Sequence, residues 1–511
     1  MRVMLVYHGG VTGRREYHAG LLPLGLGYLA ATLRREGIET TLVNASRMRS
    51  SAIAALLAGE APDVLGISVF THNRHESARI AATYRRACPG GTVVIGGPHA
   101  NHLPEQMLAA CLEIDAVAIG EGEMTLLDLV RAKRDGTPLS RIAGLCVRDG
   151  REPRRTAPRP MVMDLDLLAP PDFGPPSFGV DARAQSMYLL SSRGCPADCS
   201  FCDSPAFWGQ RLRFHSPGRV VADLRRLRDG LGLDYVSFRD DTFALHRGRA
   251  IELLTAIRDA DLGLVWDCQT RVNGVDPERL RLMSQAGCHQ VQYGVESGSK
   301  AVLAVLAKGV EIAHVRAACR MTRDAGLHLS IYLISGTPGE GEAEVRETEE
   351  LVRAVLPHDG IVSPLCIYPG TPLYAQMRAA GTLGDQLFLR DRRAAILARE
   401  DPFAVATFFR YEKLLAAVAR RARYVDADWA SAERAQGPHA PLLLRRASDL
   451  LDSGDVPGAT QALERARAAA PGHPWVSALA ARIAKASRHG RRAARGRGHA
   501  RRPERAPVAC V

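Results

Sequence analysis

Short apolar runs alternate with amphipathic stretches along the first quarter of the chain. RVMLV, TTLVN, VLGIS, TVVIG and AVAIG are compact apolar runs, as expected of parallel strands buried on both faces. Between them LGYLAATLRREG, SAIAALLAG, ESARIAATYRRA, PEQMLAACL and EMTLLDLVRAK carry the helical period. Five β–α units predict an open doubly wound α/β sheet over residues 1–135. Ligands on such sheets sit at the strand carboxyl ends, near the reversal of strand order. The segments there are His8-Gly9-Gly10, Ser68-Val69-Phe70-Thr71, Gly96-Gly97-Pro98-His99 and Gly120-Glu121-Gly122-Glu123. No GxGxxG follows the first run, so a dinucleotide is not favoured.

The pattern then breaks. Residues 136–184 are rich in Pro and Gly and predict a linker, with room for a hairpin around GLCVRDGREPRR. A second alternating region, 185–375, offers SMYLLSS, DYVSFRD, LVWDCQT, HQVQYGV, LSIYLIS and GIVSPLCI as strands. Six β–α repeats predict a partial (β/α)6 barrel, TIM-like but short of eight strands, with its site at the strand carboxyl ends. Asp240 and Asp241 end its second strand, Arg271 follows the third, Glu296 the fourth, and Gly336, Pro338 and Gly339 the fifth. All of these fall on one rim. Residues 376–486 are helical in pattern. They include one tetratricopeptide-like pair that cannot bury its face alone and is expected to pack on the barrel or a partner.

Composition changes this picture little. The 511 residues are 46% hydrophobic and 24% charged, which is ordinary for a globular chain of several domains. The net charge of +12 invites a nucleic-acid reading, but residues 487–511 hold eight Arg against one Glu. The excess therefore belongs largely to a low-complexity tail, expected to be disordered, whose alternatives are a solvated end or a polyanion contact. No apolar run approaches the ~18 residues of a membrane span, and MRVMLVYHGG lacks the plan of a signal peptide. A reducing cytoplasm is the expectation, and the eleven cysteines are then no disulfide framework.

Three of those cysteines break from the scattered background. GCPADCSFCDSPAFW places Cys195, Cys199 and Cys202 on a loop after the first barrel strand. Three thiolates leave one corner of a [4Fe–4S] cubane without a protein ligand, and that iron can chelate an amine and a carboxylate. Zinc with a distant fourth ligand and a chance cluster are the competing readings; His215, the nearest histidine, stands in no ligand pattern.

The Cys-x3-Cys-x2-Cys spacing, with Phe201 before the last cysteine, resembles the signature of radical SAM enzymes. The resemblance covers roughly 185–375 and implies that the open iron binds S-adenosylmethionine, whose reductive cleavage gives a 5′-deoxyadenosyl radical. By position it implies cofactor contacts at Asp240, at Arg271 of Cys268-Gln269-Thr270-Arg271, at Glu296 of Gly294-Val295-Glu296-Ser297-Gly298, and at Gly336. For each, a salt bridge or cap on a barrel rim is the alternative.

Over residues 1–135, PLGLGYLA, IGGPH and GEGE resemble the flavodoxin-like (Rossmann-like) cobalamin-binding domain fused to many radical SAM enzymes. That resemblance implies cobalamin at Ser68, Gly96, Gly97, His99, Gly120 and Glu121. The Asp-x-His-x-x-Gly loop of many cobalamin proteins is missing after the first strand, which argues against His8 as a cobalt ligand. A sulfur-inserting tRNA enzyme needs three further N-terminal cysteines, and only Cys88 and Cys111 are present. The combination implies a cobalamin-dependent methyltransferase acting at an unactivated carbon or phosphorus of a small molecule, with an electron donor such as flavodoxin or ferredoxin. A radical cyclase and a non-catalytic cobalamin or cluster sensor are the alternatives.

Overall fold

The computed structural model describes residues 1–9, 21–150, 152–389 and 401–495. The loop Gly10-Val11-Thr12-Gly13 and the basic tail from residue 496 lie outside the described residues. The chain forms two units, residues 1–423 and 424–511.

The first sheet uses the five expected strands in parallel: β1 (Arg2–Tyr7), β2 (Glu39–Asn44), β3 (Val64–Ser68), β4 (Thr92–Gly96) and β5 (Ala116–Ala118). Alternate residues of β1 serve two cores. Met4 and Val6 join one apolar cluster, while Val3, Leu5 and Tyr7 join the other, as a sheet covered on both faces requires. The segment expected to be a linker instead completes this sheet. Its hairpin, β6 (Leu145–Asp149) and β7 (Glu152–Arg155), adds antiparallel to β5, and β8 (Ser177–Phe178) adds parallel to β2. The order is β7-β6-β5-β4-β3-β1-β2-β8, which reverses between β1 and β3. Phe173, from the same segment, packs so closely on Gly27 that a Cβ there would lie 2.5 Å from its ring.

The second sheet starts with β9 (Tyr188–Leu189). A two-strand ribbon of β10 (Ser192–Arg193) and β11 (Arg213–Phe214) then frames the cysteine loop. Five more parallel strands follow: β12 (Tyr235–Phe238), β13 (Val265–Thr270), β14 (Cys288–Glu296), β15 (His328–Ser335) and β16 (Asp359–Pro364). The order β16-β15-β14-β13-β12-β9 is sequential, as in a partial barrel. Helix Pro402–Ala419, expected within a separate helical region, sends Tyr411, Leu415 and Val418 into the barrel core.

The second unit is helical. Helices Ala440–Ser453 and Val456–Ala469 meet at Gly454, whose φ of 92° suits glycine, and Pro474–Arg495 packs on both. Leu443, Leu463 and Leu479 belong to its core. No helix among the described residues is long and apolar enough to cross a membrane.

At the amino end of the barrel strands, His289, His328 and His358 stack with ring centroids 4.5 and 4.6 Å apart. Burial lowers the pKa of His358 well below its usual value, and the neighbouring His328 and Arg323 lower it further. Its Nδ1 accepts the Leu329 N–H at 3.0 Å, which leaves no place there for a proton. The unfolded chain takes up a proton near pH ~6.5 that the folded chain refuses, so stability falls as pH drops below that value. Chemical denaturation between pH 7.5 and 5 should show this loss. His358→Asn, which retains an acceptor but no titrating ring, should reduce it, with other buried histidines such as His99 supplying the remainder.

Candidate functional site

The cysteine loop is fixed from both ends and from its middle. Before it, Asp240 accepts hydrogen bonds from Ser191 N, Ser191 Oγ and Ser192 Oγ. The carboxyl is fully enclosed, and burial raises its pKa to about 6. Gly194 then turns with φ 99°, where a Cβ would sit 2.4 Å from Arg211 O. Midway, Ser200 donates from N to Leu306 O at 2.9 Å and from Oγ to Val305 O at 2.9 Å, and accepts Leu373 N–H at 2.8 Å. The loop is thus bolted to the segments that follow β14 and β16.

Cys195 and Cys199 are 8% and 6% exposed, and Cys202 is half-buried. Arg271 donates to Cys199 Sγ at 3.3 Å and also to the carbonyl of Lys308. Lys308 Nζ pairs with Glu296 at 2.7 Å, both buried, and Gly294 makes room: a Cβ there would lie 2.6 Å from Glu296 Oε1. Three residues expected at the rim, Cys199, Arg271 and Glu296, therefore form one chain of contacts, with Lys308 as the link that sequence reasoning missed. Gly336 lies on the rim with its N–H already bonded to Glu340 at 2.7 Å.

Asp240 and Asp241 divide their tasks. Asp240 faces inward and is spent on the loop, so the expectation that it meets a ligand does not fit its geometry. Asp241 is exposed, yet burial among surrounding atoms raises its pKa. Both hold for a carboxyl on the wall of a concavity. Burial raises the thiols of Cys195 and Cys202, the latter to about 12, and the charge of Asp241 adds to both. Half-buried Tyr368 belongs to the same wall: burial raises its hydroxyl, and Cys366, Asp203 and Cys202 contribute.

Among the described residues, no three His, Cys, Asp or Glu side chains converge on a single ion. His215, the zinc candidate, is bonded through Nδ1 to Asp166 at 3.1 Å. A cubane places each thiolate on a different iron, so three cysteines on a pinned loop need not converge on one point to hold a cluster. The acidic wall and raised thiols mean that cluster assembly must expel protons.

The facing rim belongs to the first sheet. Val69 and Leu103, beyond β3 and β4, share one apolar cluster with Leu306, Leu365 and Ile367 of the barrel rim, and Phe201 of the cysteine loop packs against it. An ionic lock closes the same junction. Arg193, one residue before Gly194, bonds Glu121 at 2.7 Å and Glu123 at 2.6 Å, and Arg213 bonds Glu121 at 2.8 Å. All four side chains are at most 5% exposed. Arg193 also lies 4.9 Å from the ring centroids of both Tyr28 and Trp208. Burial opposes the charge on Arg193, but Glu123, Tyr28 and Glu121 outweigh it and raise its pKa.

The lock also gives Glu121 its partners within the protein. Glu121 has both oxygens engaged, by Arg193, Arg213 and Val162 N, so it joins the sheets and does not point to a ligand. His99 is 1% exposed, bonded to Thr71 Oγ at 3.1 Å and edge-on to Phe388; burial and Arg74 lower its pKa to about 3. Gly97, at φ 99°, lets the β4 loop approach Val69 O, which a Cβ would meet at 2.8 Å. Ser68, Gly96 and Gly120 lie at the expected edge, Gly120 N bonded to Asn101 at 2.7 Å. The lone Arg in SSRGCPADC was the available signal for the lock.

Residues 189–352 match the radical SAM superfamily, and residues 14–130 match the B12 binding domain. An uncharacterized methyltransferase of Pyrococcus horikoshii, PH0819, is 32% identical over 365 residues, covering 69% of this chain and 77% of that protein. Cytidylyl-2-hydroxyethylphosphonate methyltransferase of Streptomyces wedmorensis is 27% identical over 393 residues, covering 66% and 73%. The fold is similar to that of the radical S-adenosylmethionine methyltransferase TsrM from Kitasatospora setae, solved with tryptophan and a cofactor analogue. The TM-score is 0.65 at 22% identity, over 74% of this chain and 76% of that one.

Two outcomes check the site. Arg193→Met leaves Glu123 buried without its cation and Glu121 with Arg213 alone, and should cost about 3–5 kcal/mol in denaturant unfolding. Adding Glu123→Gln, which removes the stranded carboxylate and leaves the Arg213–Glu121 pair intact, should recover part of that loss. Anaerobic reconstitution should take up iron faster at pH 8.5 than at pH 7, measured by iron bound per chain over time.

Proposed function

The chain belongs to the radical SAM enzymes that carry a B12-binding domain, and on that premise we propose that it methylates an unactivated carbon, or phosphorus, of a small molecule. Its cofactors are a [4Fe–4S] cluster, S-adenosylmethionine and cobalamin. The observation that carries the proposal is the junction of the two rims, where one apolar core and one ionic lock hold the cysteine loop against the B12-binding sheet. When bound, the cluster supplies the electron that cleaves S-adenosylmethionine to a hydrogen-abstracting radical, and cobalamin supplies the methyl group.

The chain's own residues bind and orient. Cys195, Cys199 and Cys202 would supply the thiolates that hold the cluster, whose remaining open coordination would take the methionyl amine and carboxylate. Asp241, accessible and electrostatically coupled to Cys195 and Cys202, is the carboxylate that accepts from the amine. Arg271, beside Cys199, pairs with the methionyl carboxylate. Glu296 offers the ribose hydroxyls the oxygen that Lys308 does not take. Ser68, Gly96 and Gly120 line the edge that receives cobalamin. A flavodoxin- or ferredoxin-type donor of the cytoplasm supplies the electron.

Asp241→Asn should weaken S-adenosylmethionine binding at least tenfold in anaerobic equilibrium dialysis, whereas Asp240→Asn should lower stability and change affinity little. With substrate and reductant, S-adenosylhomocysteine and 5′-deoxyadenosine should form in equal amounts. 5′-Deoxyadenosine alone would favour cyclisation. Neither product would favour a sensor.

A further inference from the structure

A parallel barrel ordinarily fills its interior with layers of branched apolar side chains. Here the strand period of two sorts the faces differently. Phe238 of β12, Trp266 and Cys268 of β13, Val291 of β14 and Ile331 of β15 share one apolar core with the helices. Their alternates stand on the concave face, where the register joins them into two rows. Tyr188, Ser237, Asp267, Gln290 and His328 form the lower row. Gln269, Gln292, Ser330 and Asp359 form the row nearer the rim. Neither row holds an aliphatic side chain.

The carboxylates of these rows are spent on the framework. Asp267 accepts from Tyr235 and from Ser237 Oγ at 2.5 Å, and Gln290 Nε2 donates to both oxygens of Asp359 at 2.9 Å. The two upper amides are only half used. Tyr332, two residues beyond Ser330, donates its hydroxyl to Gln292 Oε1 and accepts Gln269 Nε2 at 3.2 Å. One phenol thus orients two amides on neighbouring strands. Gln292 is 7% exposed, yet its amide nitrogen has no partner among the described residues, and neither has the carbonyl oxygen of Gln269. Two residues further toward the rim, Gly294 cedes its side-chain space to Glu296 and Lys308, so the amides sit one row below the cofactor rim. A buried amide left half-bonded is costly unless a ligand completes it.

We infer that Gln269 and Gln292 set the choice of substrate: a compact polar molecule with a hydrogen-bond acceptor and a donor on one edge, as a lactam or other cis-amide presents. Gln292 gives an N–H to the acceptor, and Gln269 Oε1 takes the donor. The two residues are register partners on adjacent strands, close enough for one small molecule to bridge. This rests on the proposal that the chain acts on a small molecule, and it names the class. A flat apolar macrocycle would cover both rows without pairing them, and a site built to hydrogen-bond rejects what leaves its polar groups bare.

The test titrates pyrrolidin-2-one into the anaerobically reconstituted full chain, without reductant, by saturation-transfer NMR. Saturable binding is expected, weakened about tenfold by Gln292→Leu and by Gln269→Leu. N-Methylpyrrolidin-2-one, which keeps the acceptor and lacks the donor, should bind wild type more weakly and be indifferent to Gln269→Leu. The comparison of the two lactams on wild type stands even where a variant fails to fold. No saturable binding of pyrrolidin-2-one, equal binding of the two lactams, or an affinity unchanged in Gln292→Leu overturns the inference. So does protoporphyrin IX, followed by its Soret band, if it binds and displaces the lactam. Methyl transfer is read separately, as S-adenosylhomocysteine. Lactam binding as described without that product overturns the methyl-transfer reading alone, and the product formed by a chain that fails the lactam test overturns this inference alone.

Discussion

The pairing of Arg193 with Glu121 and Glu123 is the constraint on which the rest depends. Two arginines and two glutamates lie out of water between the sheets, and each is tolerable only while its partners are in place. The lock spans 70 residues or more of sequence, so the B12-binding sheet and the start of the barrel are stable as one body and not as two beads on a linker. Arg193 is also one residue from the turn into the cysteine loop. The same guanidinium that joins the sheets sets where that loop begins.

The lock brings two rims face to face. The cysteine loop is hung from Asp240 at its start and bolted through Ser200 to the segments after β14 and β16. Across the shared core, Asn73 and Arg74 fasten the switch-point loop of the first sheet. Both sites are therefore built on framework held by buried polar contacts, which suits chemistry that needs a radical and a methyl group at a defined separation.

The strand and helix pattern carried most of the fold. β1 to β5 and the six barrel strands were legible because a two-sided parallel sheet writes continuous apolar runs. The edge strands β6 to β8 were less so: a proline-rich stretch such as PPDFGPPSF has no period, and only pairing to a preformed edge makes two residues a strand. At the site, the three cysteines were legible from spacing. Asp240 and Asp241 were not separable, because which of two adjacent carboxylates faces the cavity depends on the backbone beyond β12. Glu121 and His99 looked like ligand-edge residues because they stand at strand ends, where structural locks and ligand contacts share one address. Lys308 and Arg213 gave no signal, since their partners are distant in sequence.

The most direct test of the central claim, that the lock holds the two cofactors at one fixed separation, is the effect of the reduced cluster on the cob(II)alamin EPR signal of the holoenzyme. A fixed geometry predicts that reducing the cluster speeds relaxation of the whole cob(II)alamin population uniformly, and that Glu121→Gln/Glu123→Gln spreads it into a distribution. A cob(II)alamin signal that is indifferent to the cluster's redox state would contradict the account.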